Sequence, residues 1–313
     1  MSIQISKGED VFKYELSKHH IKAIKLFGLG SISKTIISTY LSYMINQGKI
    51  DINQKIDYYL SLNEHIKYPT VLELATHTSG YHAFIPILQS IKVLLFNGFN
   101  KKNIYAHLNQ KWLVNDLHHR KPFRNKKYRY SDYNYAVLAL LIEHIEKRPY
   151  QEVIESYLKK EIDMKDTHYG TFELTKHSKY SWVWEDDNPF LASGGLFSTC
   201  DDMTKFLKYQ ISHANELIDA HKKYIKINQK NIYSGFSWNA FYSGSFYWHI
   251  GGQGYFRSYA LFDIKRDITI SLLATVDINL LHVGRIGSSL YRNIKRNHSG
   301  LVEFLDEMID QII

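Results

Sequence analysis

Apolar positions along this chain change period twice, and each change marks a change of element. Residues 2–15 alternate, with Ile3 and Ile5 answered by Val11, Phe12 and Tyr14 across a Lys7-Gly8-Glu9-Asp10 turn, which predicts a β-hairpin. Over 31–48 the period lengthens: Ile36, Ile37, Tyr40, Leu41, Met44 and Ile45 recur at helical spacing, and Gly48 supplies the stop. A short helix follows over 72–76, closed by His77-Thr78-Ser79-Gly80. Residues 83–117 read as helical and partly amphipathic, broken at Gly98, with the apolar stretch from Phe84 to Phe96 serving as core rather than as a lipid-binding lid. A strongly apolar helix over 133–147 ends before Pro149, and a more polar one occupies 150–161.

The last third returns to β-branched and aromatic runs, predicting strands over 234–239, 245–250, 257–263 and 268–276. Gly244, Gly251-Gly252, Gly254 and Lys265-Arg266-Asp267 punctuate them. Helices over 283–297 and 300–313 close the chain, and the wide apolar stripe of the second predicts that it covers one face of the sheet. Strands at both ends around a helical middle predict an α+β fold, an antiparallel sheet built from both termini, flanked by helices, with an inserted all-helical subdomain. A single domain 1–313 is expected, its α/β part at about 1–50 and 190–313 and its helical subdomain at about 51–189.

Composition changes this picture little. At 313 residues, 44% apolar and 14% aromatic, the chain can bury a full core, and 22% charged residues do not suit a disordered chain. One cysteine, Cys200, excludes an internal disulfide and fits a reducing compartment. Residues 1–10 show no basic segment leading into an apolar one, and the stretch near Phe84–Phe96 is too short and polar to span a bilayer, so a cytoplasmic protein with no integral membrane segment is expected. The net charge of +8 concentrates in residues 118–129, which read as a solvated face or as a cationic rim around an active-site mouth. No nucleic-acid-binding signature accompanies it, so no nucleic-acid partner is expected. Sixteen histidines raise the question of metal, but no metal-ligating spacing appears, and no metal or cofactor is expected.

The candidate chemistry begins at Ser31-Ile32-Ser33-Lys34, where a Phe27-Gly28-Leu29-Gly30 turn opens the first long helix. Positions three apart share a helix face, so the Ser31 hydroxyl and the Lys34 ammonium can enter one cleft. Ser31 also lies at the helix N-terminus, where free N–H groups favour developing negative charge. Ser156-Tyr157-Leu158-Lys159 has the same spacing but sits inside a polar helix with no turn before it, and reads as coincidence.

Downstream segments single out the first match: Tyr130-Ser131-Asp132 before the apolar helix, and His249-Ile250-Gly251-Gly252 at a strand end. His77-Thr78-Ser79-Gly80, Asp163-Met164-Lys165-Asp166-Thr167 and residues 192–199 complete a set of six blocks in a fixed order. With these the chain resembles the serine β-lactamase and penicillin-binding-protein superfamily. Its nearest likeness is to the class C β-lactamase-like branch with family VIII esterases, D-aminopeptidases and DD-peptidase-like hydrolases.

The resemblance implies that Ser31 attacks a carbonyl, with Lys34 and Tyr130 sharing the base role, a lysine cation lowering the tyrosine pKa or the reverse. It implies an oxyanion hole from the N–H groups of Ser31 and Gly252, and substrate contacts from Asp132, His249 and Gly251. Which of Lys34 and Tyr130 takes the serine proton stays open. Two departures from the family pattern matter. His249-Ile250-Gly251 stands where Lys-Thr-Gly is usual, and a histidine is largely neutral at pH 7, which favours substrates without an obligatory carboxylate. Asp132 replaces an asparagine and can pair with Lys34, shifting base duty toward Tyr130.

Other candidates read as structural: His77 as a buried turn histidine, Ser79 as a loop hydroxyl, Trp182 and Trp184 as core before cleft, Gly194-Gly195 as close packing. The expected function is a serine hydrolase forming a Ser31 acyl-enzyme on a small ester, amide or D-amino-acid peptide. The alternatives are a penicillin-recognising DD-peptidase or β-lactamase, and a non-catalytic sensor or binding module retaining the fold.

Overall fold

The computed structural model describes residues 1–15, 25–81, 103–123, 125, 127–227, 231–275 and 280–295. Strands β1 (Ser2–Lys7) and β2 (Asp10–Glu15) form the expected hairpin, with Gly8 at φ +58° in its turn. β1 does not end its pairing there. Ile3 and Ile5 lie opposite Leu272 and Ile270 of β11 (Ile268–Thr275), so the start of the chain is laced to its last strand.

Between them in sequence come β3 (Phe27–Gly28), β4 (His168–Tyr169), β5 (Leu196–Ser198), β6 (Ile225–Lys226), β7 (Ile232–Ser234), β8 (Asn239–Phe241), β9 (Phe246–Gln253) and β10 (Phe256–Asp263). The main sheet is eight-stranded and antiparallel, in the order β2-β1-β11-β10-β9-β8-β7-β6, and a small second sheet runs β3-β5-β4. This is the α+β architecture that the strand pattern at the two ends predicts, and the β-lactamase/transpeptidase type that the resemblance implies.

Every residue of β10 is buried, because both faces of the sheet are covered. Helix Cys200–Ser212 packs on β1, β10 and β11 on one side, and helix Leu280–Lys295 lies against β9, β10 and β11 on the other. Ile3, Ile5, Leu261, Ile270, Leu272 and Leu290 fill the second interface, while the larger core gathers around helix Ser33–Asn46. That helix is buried along nearly its whole length, with Ile36, Ile37, Leu41 and Met44 inaccessible to solvent.

Three expectations need correction. Residues 234–239 are not one strand: Gly235–Trp238 form the turn between β7 and β8, closed by Gly235 N donating to Trp238 O at 2.9 Å. The strand expected at 245–250 continues to Gln253, so Gly251 and Gly252 lie inside β9 rather than after it. Of the helix expected over 83–117, the described part is helical only at Gln110–Leu117, with turns at 104–107. All of 83–102 and all of 300–313 fall outside the described residues, and with them the apolar stretch from Phe84 and the terminal helix. Among the described residues, no helix is long and apolar enough to cross a membrane.

Candidate active site

A 3₁₀ turn, Gly30–Ile32, leads directly into helix Ser33–Asn46 and sets Ser31 beside β9. Backbone contact this close needs glycine on both sides. Gly30 has φ +52°, and a Cβ there would overlap the backbone of Gly252; a Cβ on Gly251 would overlap Leu29 O and crowd Ser31 N. Ser258 of β10, opposite Gly251, donates its hydroxyl to Leu29 O at 2.6 Å and ties the turn to the sheet. On the far side Leu29 N donates to Leu196 O at 2.8 Å.

Lys34 is fully buried, one helical turn below Ser31. Its ammonium donates to Ser31 Oγ at 3.1 Å and to Ser193 O at 2.7 Å, and it pairs with Asp132 Oδ1 at 2.6 Å. Three N–H groups find three acceptors, which is what a buried ammonium requires. Lys34 Nζ also lies 4.9 Å from the centre of the Tyr130 ring. Asp132 is the first residue of helix Asp132–Glu146, where the helix N-terminus favours an anion. Its second oxygen, Oδ2, accepts from the Tyr105 hydroxyl at 2.6 Å. Burial alone would raise the Asp132 carboxyl, but the Lys34 charge and the hydrogen bonds from Lys34 and Tyr105 outweigh it and hold the group below the usual range.

Tyr130 behaves differently from the expectation of a cation-activated phenol. Burial first, then the Asp132 carboxylate, pushes its phenol well above the ordinary value, and a hydrogen bond with Ser31 opposes them. Its 38% exposure tempers the burial effect but leaves the Asp132 effect standing. Because Asp132 neutralises Lys34, the ion pair presents little net charge to the ring.

Two neutral histidines frame the tyrosine. His77, at φ +58°, accepts at Nδ1 from Ser131 N at 3.2 Å, so its proton sits on Nε2, 3.4 Å from Ser237 Oγ. Its ring lies 4.6 Å from that of Tyr130. His249 donates from Nδ1 to Ile250 O at 2.7 Å, leaving Nε2 with a lone pair. Burial and then the Lys34 charge push both imidazoles down to about 3. Within this cluster Lys34 is therefore the sole cation among the described residues, and Asp132 balances it.

The structure thus brings Ser31, Lys34, Tyr130, Asp132, His249, Gly251 and Gly252 together from three separate stretches of chain. Lys159, of the second Ser-x-x-Lys match, is exposed on helix Tyr150–Glu161. Ser79 donates to Asn134 Oδ1 at 2.9 Å and supports a turn. Trp184 is buried, its Nε1 donating to Gln253 Oε1 at 2.7 Å, while Trp182 is half-buried beside Tyr105. Sequence reasoning missed the Ser193 carbonyl and Tyr105. The available signal for Tyr105 was the Asx turn in which Asn103 Oδ1 accepts from Tyr105 N at 2.9 Å, a feature that argues against continuous helix there.

A serine and a buried lysine stand at the head of a helix, seated against an antiparallel sheet drawn from both ends of the chain, in a fold of serine-hydrolase type. The family model described as Beta-lactamase matches residues 8–281, and the chain belongs to that family. Protein flp of Staphylococcus aureus (strain MW2) is 22% identical over 313 residues, 91% of this chain and 60% of the relative. The chain therefore spans about 60% of the length of that curated relative. Among solved structures, a penicillin binding protein from Bacillus halodurans superposes with a TM-score of 0.73 at 17% identity, covering 92% of this chain and 96% of that one. A D-stereospecific amidohydrolase from Streptomyces sp. gives 0.70 at 18% identity, covering 88% and 89%. At such identities the likeness is one of fold.

Proposed function

We propose that the chain is a serine hydrolase that forms an acyl-enzyme through Ser31 on a small ester, amide or D-amino-acid peptide lacking an obligatory carboxylate. The observation that carries this reading is the Lys34 ammonium, buried, held by Asp132 at 2.6 Å and by Ser193 O at 2.7 Å, and donating to Ser31 Oγ at 3.1 Å. With Lys34 donating to Ser31, the serine hydrogen is free to turn toward Tyr130, its other hydrogen-bond partner. In this reading the reactive form is the one in which the Lys34–Tyr130 pair has given one proton to solvent. Ser31 Oγ attacks the carbonyl carbon as its own proton fills that vacancy, and the leaving group takes a proton from the pair as the bond breaks. The N–H groups of Ser31 and Gly252 serve the oxyanion. Water then attacks the acyl-enzyme by the same relay.

The neutral His249 supports the substrate class. A lysine at that position would offer a carboxylate a charge; an imidazole near 3 offers none above pH 5. The D-stereospecific amidohydrolase of the same fold keeps D-configured amides among the substrates to try. The test is hydrolysis of p-nitrophenyl esters of graded chain length and of D-amino-acid amides, set against nitrocefin, with wild type and Ser31→Ala. Turnover of esters or amides that the variant loses supports the reading. Turnover of nitrocefin in preference to them favours a β-lactamase, and no turnover of any substrate favours a binding module.

A further inference from the structure

Tyr105 belongs to none of the motif blocks, yet it reaches the centre of the site. Its ring is buried and stacks on Phe190 with centroids 4.1 Å apart and planes 4° from parallel. Its backbone is held at both ends, by Asn103 Oδ1 accepting from N at 2.9 Å and by Asn188 Nδ2 donating to O at 2.7 Å. Asn188 is itself fully buried. All of this fixes the direction of one hydroxyl, and that hydroxyl donates to Asp132 Oδ2 at 2.6 Å.

We propose that Tyr105 is a positioning residue of the Ser31 site, occupying Asp132 Oδ2 so that Oδ1 faces Lys34 and holds the ammonium on Ser31. This rests on the reading of Ser31 as the nucleophile. An aspartate carboxylate can rotate about χ2 and share its oxygens among donors. With Oδ2 claimed by a rigid donor, the plane of the carboxylate is set and Lys34 keeps one geometry. Tyr105 suits the task because burial, then the Asp132 charge, push its phenol well above the ordinary value, so it stays a donor throughout the working range. The ionisable groups facing Asp132 are Lys34, Tyr105, His77, Tyr130 and His249. Of these, Lys34 and Tyr105 donate hydrogen bonds to the carboxylate.

The experiment compares wild type, Tyr105→Phe, Asp132→Asn and the double variant by rate of fluorophosphonate labelling, with Ser31→Ala as the site control. Tyr105→Phe keeps the ring stack and loses the hydroxyl; labelling should slow about tenfold, the loss expected for one hydrogen bond to a charged group. In the Asp132→Asn background the same substitution should change little. Slowing that persists undiminished there, or wild-type labelling by folded Tyr105→Phe, overturns the proposal. A carboxyl ¹³C titration, assigned through Asp132→Asn, is independent of activity. Loss of the Tyr105 donor should move the Asp132 midpoint to higher pH. An unmoved midpoint in folded Tyr105→Phe also overturns the proposal. Labelling that survives Ser31→Ala overturns instead the reading of Ser31, and the titration then decides the Tyr105–Asp132 link alone.

Discussion

Gly30→Ala separates a backbone that merely turns from one that positions a reacting group. Gly30 has φ +52°, a region where an alanine costs about 1–2 kcal/mol. Its missing Cβ would also overlap the backbone of Gly252, and a backbone neighbour cannot swing aside as a side chain does. Either the Ser31 turn or the Gly252 N–H must move. Loss of one oxyanion donor costs about 2.7–4 kcal/mol of transition-state stabilisation, roughly 100- to 1000-fold in rate. Gly8 supplies the control, because it has φ +58° but nothing lies within 4 Å of where its Cβ would stand. Melting temperature and the second-order rate of fluorophosphonate labelling are measured for both variants. Gly8→Ala should lose a few degrees, at roughly 2–4 °C per kcal/mol for a large domain, and label like wild type. Gly30→Ala should lose at least as much and label about 100-fold more slowly. Wild-type labelling by folded Gly30→Ala would refute the role given to the Gly30–Gly252 contact, as would equal slowing in Gly8→Ala.

Asp132→Asn removes an anion that pushes the Tyr130 phenol up while leaving the Lys34 cation in place, so the limb of the pH–rate profile that rises with pH should move to lower pH. An unmoved limb would detach Asp132 from the base. His249→Lys should raise kcat/KM for a substrate bearing a carboxylate by about tenfold relative to an uncharged ester, since it replaces a neutral ring with a charge. Unchanged selectivity would place the substrate away from His249. His221, buried between Tyr247 and Phe262, is pushed from 6.5 down to about 3 by burial. Its neutral folded form contributes stability that is fully present above pH 6.5 and lost as pH falls toward 3, because the unfolded chain takes up the proton first. His221→Phe should therefore flatten the fall of unfolding free energy in that window by about 1.4 kcal/mol per pH unit, measured by urea titration at several pH values. An unchanged slope would show that another group carries it.

Period and punctuation made the scaffold legible. The helix from Ser33, the apolar helix before Pro149 and the strands β10 and β11 follow from runs of aliphatic and aromatic residues. The same punctuation misled at β9, where Gly251 and Gly252 look like a turn. They lie within a strand because Leu29 and Gly30 press against it, a long-range demand that no local window shows. Residues 234–239 failed for the opposite reason, since aromatic residues there serve the core from a tight turn, with Phe236 and Trp238 inaccessible to solvent. Ser31, Lys34, Tyr130 and Asp132 were legible as motif residues, and their separation in the chain collapses in the fold. The state of the site was not legible. Neutral His77, neutral His249 and a Tyr130 phenol pushed up rather than down depend on burial and on one ion pair. Tyr105 was hidden because its bond to Asp132 crosses 27 residues of chain and belongs to no repeating pattern.

The Ser31 acyl-enzyme is tested most directly by mapping the covalent adduct. The protein is incubated with a fluorophosphonate, its intact mass is measured, and the modified peptide is sequenced by mass spectrometry for wild type and for Ser31→Ala. A single adduct on the peptide bearing Ser31, absent from Ser31→Ala, is the expected result. An adduct on any other residue, or one that Ser31→Ala retains, would contradict it.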